Sequence, residues 1–163
     1  MATTTDLALI DTNVLVHSFY DEQPQYPAAV RLRDSAQEDD AALCVAPQTV
    51  AEFYAVVTSS RRVSAPFTPA EALAEIDKLL ALPGLALLTV PSDLVQRLTQ
   101  LLRRRPVLGR QVFDLQLVAT MLGNGVRRIY TYNAKDFDPF QELEVIVPTH
   151  PPQPVTSDPQ PGN

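Results

Sequence analysis

Short apolar runs alternate along the chain with longer stretches whose apolar positions recur at helical spacing. Five runs predict buried strands, at residues 7–10, 43–46, 85–90, 128–132 and 144–147. The stretches between them predict helices at residues 26–38, 49–59, 69–82, 92–105 and 113–122. Strands that alternate with helices favour a parallel sheet covered by helices on both faces. The pattern therefore predicts an α/β fold, a three-layer sandwich around a mostly parallel sheet.

Two of the predicted helices have clear end signals. Thr68 precedes Pro69 and lies three residues before Glu71, which is the spacing of an N-cap, a first-turn proline and a capping box. The helix at residues 113–122 runs into Gly-Asn-Gly at 123–125, a typical helix stop.

The composition changes at residue 148. Six of the 16 residues from 148 to 163 are proline, and no apolar period continues there. Such a segment lacks the apolar surface to fold by itself. We therefore predict one folded domain over residues 1–147 and a proline-rich flexible tail over 148–163.

The overall composition is typical of a globular protein, with 45% hydrophobic and 20% charged residues in a chain of 163. No apolar run approaches the roughly 20 residues that a membrane span needs. The first residues lack the basic segment of a secretory signal, and the single cysteine, Cys44, allows no internal disulfide. We therefore expect a cytoplasmic protein that does not engage a membrane.

The charge balance leaves the class of partner open. Acidic residues number 19 against 13 basic ones, a net charge of −6, whereas proteins that hold nucleic acid by its phosphates are usually basic. The cations are unevenly distributed, however. Eleven of the 13 are arginine, and three adjoin at Arg103, Arg104 and Arg105.

Polar side chains follow two of the predicted strands. Open parallel sheets place their sites beyond the carboxyl ends of the strands. Asp11, Thr12 and Asn13 follow the first strand, and the fourth ends in a segment with three more polar side chains, Thr131, Asn133 and Asp136. Both segments also suit plain turns or a helix cap, which need no catalytic role.

Two further carboxylates lie on predicted helices. Asp114 shares a helix face with the apolar residues Leu117, Val118 and Met121. An unpaired charge on such a face costs several kcal/mol, so Asp114 needs a cation or a metal ion beside it; a purely structural role in the first helical turn is the alternative. Glu52 also has small or apolar helical neighbours, with a solvent-facing position as its alternative.

These residue types narrow the chemistry. Carboxylate oxygens suit Mg²⁺ or Mn²⁺, whereas the only histidines are His17 and His150, so no His/Cys cluster for zinc exists. The chain contains neither a GxxxxGK phosphate loop nor a GxSxG elbow. The remaining chemistry is hydrolysis assisted by one or two Mg²⁺ ions.

Four segments, in order along residues 7–147, resemble the PIN domain and, more narrowly, VapC-type ribonuclease toxins of type II toxin–antitoxin systems. They are IDTN at 10–13, VAEF at 50–53, FDLQLVAT at 113–120 and TYNAKDF at 131–137. The resemblance implies a five-stranded parallel sheet and a Mg²⁺-dependent endoribonuclease in which Mn²⁺ substitutes. It also implies an RNA substrate (tRNA, rRNA or mRNA), a homodimer and a cognate antitoxin protein.

The resemblance also implies residue roles. It assigns the metal to Asp11 and Asp114, and it assigns Glu52 a catalytic role either as a ligand or as the group that orients the attacking water. Many PIN domains have a further acid where this chain has Asn133, so Asp136 is expected to complete the catalytic set by acting through a water. The side chains expected to orient these carboxylates are Thr12, Asn13, Thr131 and Asn133. RNA phosphates are expected at Arg103, Arg104 and Arg105, with an exposed, solvated helix end as the alternative.

Two other functions remain open on the sequence. A haloacid-dehalogenase-like phosphatase also begins with a strand and an aspartate, but it needs a second acid where this chain has Asn13, and a lysine, of which only Lys78 and Lys135 exist. The other alternative is a non-catalytic PIN-like module for dimerisation or protein binding.

Overall fold

The computed structural model describes residues 7–149 of the chain. In chain order the elements are β1 (Ala8–Ile10), α1 (Thr12–His17), α2 (Tyr26–Ser35), β2 (Leu43–Val45), α3 (Pro47–Val57), α4 (Pro69–Leu80), β3 (Leu85–Leu87), α5 (Leu94–Arg104), α6 (Val112–Gly123), β4 (Arg128–Tyr130), α7 (Ala134–Phe137) and β5 (Glu144–Ile146). A short 3-10 turn, Gly109–Gln111, precedes α6. The predicted tail lies outside the described residues, apart from Pro148 and Thr149, which belong to neither helix nor strand.

The five strands form one sheet in the order β3-β2-β1-β4-β5. All four pairings are parallel, which confirms the predicted fold class. From β1 the chain adds β2 and then β3 on one side, and later adds β4 and β5 on the other. The strand order therefore reverses between β1 and β4, and in open α/β sheets the crevice beyond such a reversal is where sites form.

Helices cover both faces of the sheet, as the three-layer prediction requires. Side chains along β1 alternate between faces, so that Ile10 points to one side and Leu9 to the other. The Ile10 side packs against α1, α3 and α4 through a core that includes Val14, Phe53 and Leu79. The opposite side packs against α5 and α6 through a second core, which includes Leu101, Val118 and Met121.

The predicted and observed elements differ mainly at their ends, and the largest difference in a strand concerns β3. The apolar run at 85–90 predicts a longer strand than β3, which ends at Leu87. Its neighbour β2 ends at Val45, because Pro47 begins α3, and the bond from the Leu88 N–H to the Val45 carbonyl is the last between them. An edge strand ends where its single partner ends.

Two short helices, α1 and α7, were not predicted, because their turn-forming residues resemble loop sequence. The predicted helix signals are confirmed elsewhere. Glu71 Oε2 accepts from the Thr68 N–H at 2.7 Å and Thr68 Oγ1 accepts from the Glu71 N–H at 3.3 Å. Gly125, beyond α6, has a φ of +73°, which favours glycine.

No helix in the part of the chain from residue 7 to residue 149 is long and apolar enough to cross a bilayer.

Candidate active site

Asp11 lies at the carboxyl end of β1, beside the reversal of strand order. Its side chain is buried, with 8% exposed. Oδ1 accepts from the Thr12 N–H at 2.7 Å, and Oδ2 accepts from Asn13 Nδ2 at 2.8 Å and from Thr131 Oγ1 at 2.7 Å. Asp11 is also the N-cap of α1. Asp11 therefore caps a helix, as the structural alternative required, and also lies in a polar site.

Thr131 and Asn13 join the ends of β4 and β1. The Thr131 hydroxyl oxygen accepts from Asn13 Nδ2 at 3.2 Å and from the Asn133 N–H at 3.0 Å. Because both of these bonds bring a proton to the oxygen, the single hydroxyl proton of Thr131 is free to go to Asp11. Asn13 also accepts from the Tyr132 N–H at 3.0 Å. Asn133 takes part through its backbone N–H.

Glu52 reaches the same region from α3. Its Oε2 accepts from Thr12 Oγ1 at 3.2 Å, so Thr12 contacts Asp11 through its backbone and Glu52 through its side chain. Glu52 Oε1 accepts from Gln48 Nε2 at 2.9 Å, and the same nitrogen donates to the Phe113 carbonyl at 2.9 Å. Gln48 thus connects Glu52 to the start of α6. Gln48 was not among the residues predicted from sequence, although its position four residues before Glu52 on one helix face was a usable signal.

Asp114 lies half-buried in the first turn of α6. The residues that share its face, Leu117, Val118 and Met121, are buried as predicted. Burial raises the pKa of Asp114 to about 6, and the negative charges of three nearby carboxylates add to this rise, those of Asp136, Asp11 and Glu52.

The pKa of Asp11 is also raised by burial, but hydrogen bonds offset more of the rise. Burial raises the pKa of Asp11, while the hydrogen bonds from Thr131, Thr12 and Asn13 lower it, and the charge of Glu52 raises it further. The charge of Glu52 thus acts on both Asp11 and Asp114, which places the three side chains in one electrostatic environment. The structure therefore brings together carboxylates that are far apart in sequence.

These side chains line a cavity of about 650 Å³, which we call the carboxylate pocket. Of the residues proposed from sequence, those that line it are Asp11, Thr12, Asn13, Glu52, Asp114, Asn133 and Asp136. Thr131 is fully buried and reaches the pocket through Asp11. Glu22 adds a fifth carboxylate.

The predicted phosphate-binding arginines lie elsewhere. Arg104 and Arg105 line a separate cavity at the end of α5, where the Arg105 guanidinium lies 5.7 Å from the centre of the Phe140 ring. Among the residues that the structure describes, the cations lining the carboxylate pocket are Arg62 and Arg110. Arg110 precedes Asp114 by four residues, a spacing that was readable in the sequence.

The alternative catalytic groups are not assembled. His17 lines the carboxylate pocket, and burial lowers its pKa. The serine of the pocket, Ser64, donates to Glu22 Oε1 at 2.6 Å instead. Phosphatase chemistry needs a lysine, and neither candidate, Lys78 or Lys135, lines the pocket. Asn13 occupies the position of the second acid as a hydrogen-bond donor to Asp11.

The donor set fits a hard divalent cation. Within residues 7–149 no three His, Cys, Asp or Glu side chains converge into a preformed metal-binding group. Mg²⁺ does not require one, because it is commonly held by one or two carboxylates together with waters and substrate phosphate. Burial and the nearby negative charges raise the pKa of Asp114, and within the described residues its carboxylate forms no ion pair with an arginine or lysine. Oxygen ligands with excess negative charge suit Mg²⁺ or Mn²⁺ better than zinc.

Comparison with solved structures reveals similar folds. VapC20 from Mycobacterium tuberculosis, a sarcin-ricin loop cleaving toxin, has a TM-score of 0.58 and 15% identity, covering 82% of this chain and 95% of that one. VapBC-1 from nontypeable Haemophilus influenzae has a TM-score of 0.60 and 14% identity, covering 86% and 97%. VapBC2 from Rickettsia felis, bound to a promoter DNA fragment, has a TM-score of 0.57 and 15% identity, covering 86% and 98%.

Sequence comparison gives the family. Curated protein sequences give no significant match. The family model for the PIN domain matches residues 8–143, a range that includes β1 and every residue that lines the carboxylate pocket. The chain therefore belongs to the PIN domain family.

Proposed function

We propose that this chain is a Mg²⁺-dependent endoribonuclease, the VapC-type toxin of a type II toxin–antitoxin system. One observation carries the proposal: four carboxylates meet in one pocket at the reversal of strand order, where burial, and after it the charges of the other three, raises the pKa of Asp114 to about 6. Clustered like charges destabilise a folded protein unless a ligand neutralises them. A module that served only as a scaffold would gain nothing from this arrangement.

Each residue has a role that follows from its position. Asp11 and Asp114 would hold the metal ion, with Mn²⁺ as a substitute. When bound, Mg²⁺ supplies positive charge that polarises the scissile phosphodiester and activates the attacking water. Thr131 and Asn13 hold Asp11 in its charged, oriented form by hydrogen bonding.

Glu52 and Asp136 line the pocket beside these ligands. Glu52 is fixed by Thr12 and Gln48, and its carboxylate would orient the attacking water as a hydrogen-bond acceptor. Asp136 is exposed, and would add negative charge through a water.

The toxin assignment rests on the PIN family match and on the VapC and VapBC folds that this chain resembles. We extend it to a cognate antitoxin protein as partner, a homodimer and a cytoplasmic location. The net charge of −6 is compatible with an RNA substrate, because Mg²⁺ would offset the acidic pocket.

Cleavage of total cellular RNA tests the activity. The full chain is incubated with Mn²⁺, with or without EDTA, and new RNA ends are mapped by sequencing. Asp114→Asn is compared with wild type and with Asp77→Asn, an exposed aspartate of α4 outside the pocket. We expect metal-dependent ends with wild type and Asp77→Asn, and none with Asp114→Asn.

The failures of this experiment are informative. New ends that persist in EDTA or in Asp114→Asn would contradict the proposed site. Folded protein that binds Mn²⁺ but gives no new ends would indicate a different phosphoester substrate. Folded protein that binds no metal would favour the protein-binding module.

A further inference from the structure

The carboxylate pocket contains two positive charges that the metal chemistry does not use. Arg62 comes from the connection between α3 and α4, and Arg110 comes from the 3-10 turn before α6. These two segments are nearly 50 residues apart in sequence. Both residues nevertheless line the cavity that holds Asp11 and Asp114.

Neither arginine is neutralised by the carboxylates around it. Arg97 and Arg128 form ion pairs with Asp93 and Glu144, at 2.8 and 2.7 Å. Within the described part of the chain, Arg62 and Arg110 form no ion pair and no side-chain hydrogen bond. Their donors are therefore available to a ligand.

The backbone of each arginine is nevertheless held in place. The Arg62 N–H donates to the Ser59 carbonyl at 2.9 Å, and the bond from Ser64 to Glu22 fastens the same connection to the segment after α1. At the other site, Gln111 Oε1 accepts from the Leu108 N–H at 3.3 Å and closes the turn that contains Arg110. A fixed backbone lowers the entropy lost when a long side chain binds a ligand.

The ligand that fits this arrangement is a phosphate chain. A polyanion approaching five carboxylates is repelled unless cations lie along its path. A guanidinium fork matches the oxygens of a phosphate, often with two parallel hydrogen bonds. Two guanidinium groups beside one carboxylate cluster suit a ligand with several phosphates. The arginines would bind the outer phosphates, and the phosphodiester between them would be cleaved at the carboxylates.

We propose that Arg62 and Arg110 hold backbone phosphates of single-stranded RNA on either side of the scissile bond. The inference rests on the proposed nuclease function and deepens it, because it names the binding residues for the substrate. Asp11 is buried, so a phosphodiester reaches it from a strand that enters the pocket, and a single strand enters more readily than a duplex. Arg104 and Arg105 line another cavity. RNA bound there, at the end of α5, is the alternative to RNA bound at Arg62 and Arg110.

Salt-dependent binding tests this inference. A fluorescent single-stranded RNA of mixed sequence is titrated with the full chain carrying Asp114→Asn, which prevents cleavage, in Mg²⁺. Affinity is measured between about 50 and 200 mM salt, because each phosphate contact on a single strand adds about 0.7 to the slope of log affinity against log salt. Arg62→Ala and Arg110→Ala are added separately to this background.

The chain offers matched controls. Arg61 adjoins Arg62, and Arg127 immediately precedes β4; both are exposed and outside the carboxylate pocket. We expect Arg62→Ala and Arg110→Ala each to weaken binding roughly tenfold and to lower the salt slope by about 0.7. Arg61→Ala and Arg127→Ala leave both values unchanged, and lysine at position 62 or 110 restores most of the slope.

The outcomes separate this inference from the proposed function. If the parent binds RNA but Arg62→Ala and Arg110→Ala bind equally well, the phosphate-holding role is overturned and the nuclease proposal stands. Arg104→Ala is measured in the same background, and a loss of binding in that variant alone overturns the inference in favour of the cavity at the end of α5. If the folded parent binds no RNA at any salt concentration, both proposals are overturned. Thermal melting of each variant identifies any loss of binding that is caused by unfolding. If an alanine variant is unfolded, the lysine variant at the same position tests whether a positive charge there is needed for binding.

Discussion

The hydroxyl of Thr131 donates to Asp11 Oδ2 at 2.7 Å, joining two residues that are 120 positions apart in sequence. Thr131 follows β4 and Asp11 follows β1, the adjacent strands between which the strand order reverses. The bond is buried, and its donor is held by Asn13 and by the Asn133 N–H. Because of this contact, the geometry of the candidate metal site depends on the pairing of β1 with β4.

Thr131→Val removes this hydroxyl while keeping the shape of the side chain. Asp11 then loses one of its three hydrogen bonds inside a buried site, so the free energy of unfolding falls by about 1–3 kcal/mol. The pKa of Asp11 rises further, and Mn²⁺ affinity falls roughly tenfold. Thr131→Ser keeps the hydroxyl and serves as the control. Denaturant unfolding and Mn²⁺ titration measure both effects, and a valine variant that matches the serine variant would contradict the assigned role.

The pH dependence of stability reports on the carboxylate cluster. The pKa of Asp114 is about 6 in the folded, metal-free protein and near 3.8 in the unfolded chain, so the folded state binds the proton more tightly. Stability therefore rises as the pH falls through 6. Asp11 has the same sign, because burial raises its pKa as well. We expect the melting temperature in EDTA to rise as the pH is lowered from about 7 to about 5.

Asp114→Asn separates the contribution of Asp114 to the pH dependence of stability from that of Asp11. The variant removes the charge, so at neutral pH the metal-free protein should melt about 2–4 °C higher than wild type, since solvent screening at a half-exposed side chain leaves roughly 1 kcal/mol of the penalty. Its melting temperature should also change less with pH. A clear loss of stability in Asp114→Asn would instead assign Asp114 a structural role.

Gln48 is expected to position Glu52 without contacting the substrate. Gln48→Ala removes the donor that links Glu52 to the Phe113 carbonyl, next to Asp114. We expect kcat to fall roughly tenfold while KM changes little, because a displaced Glu52 affects chemistry more than RNA binding. Gln100→Ala, at an exposed position of α5, is the control. Cleavage kinetics on an RNA substrate identified by end mapping provide the measurement, and a change in KM alone would assign Gln48 to substrate binding.

Cys44 is expected to be chemically inert in the folded protein. Its side chain is fully buried in β2, and burial raises the pKa of the thiol to about 12. Because the thiolate is the reactive form, a colorimetric disulfide reagent at mildly alkaline pH should react slowly with native protein and rapidly after denaturation. Fast reaction with the native protein would show that β2 is more accessible than its contacts indicate.

Local sequence signals were sufficient for most of the elements. The apolar runs located all five strands, and the capping residues at Thr68 and Glu71 located the start of α4. They succeeded because a strand's burial pattern and a helix cap depend on residues only a few positions apart. The short helices α1 and α7 were missed because the tertiary contacts of Asp11 and Thr131, more than helix propensity, hold their ends.

The sequence by itself determined which carboxylates stand at strand ends and on apolar helix faces, and so proposed Asp11, Glu52 and Asp114 as candidate site residues. Only the tertiary structure decided which side chains meet them. It placed Thr131 against Asp11, and it put Arg62 and Arg110, instead of the more conspicuous Arg103–Arg105 cluster, at the pocket. The physical reason is that these contacts join segments tens of residues apart, and their geometry exists only once β1 and β4 are paired and both helical layers are packed on the sheet.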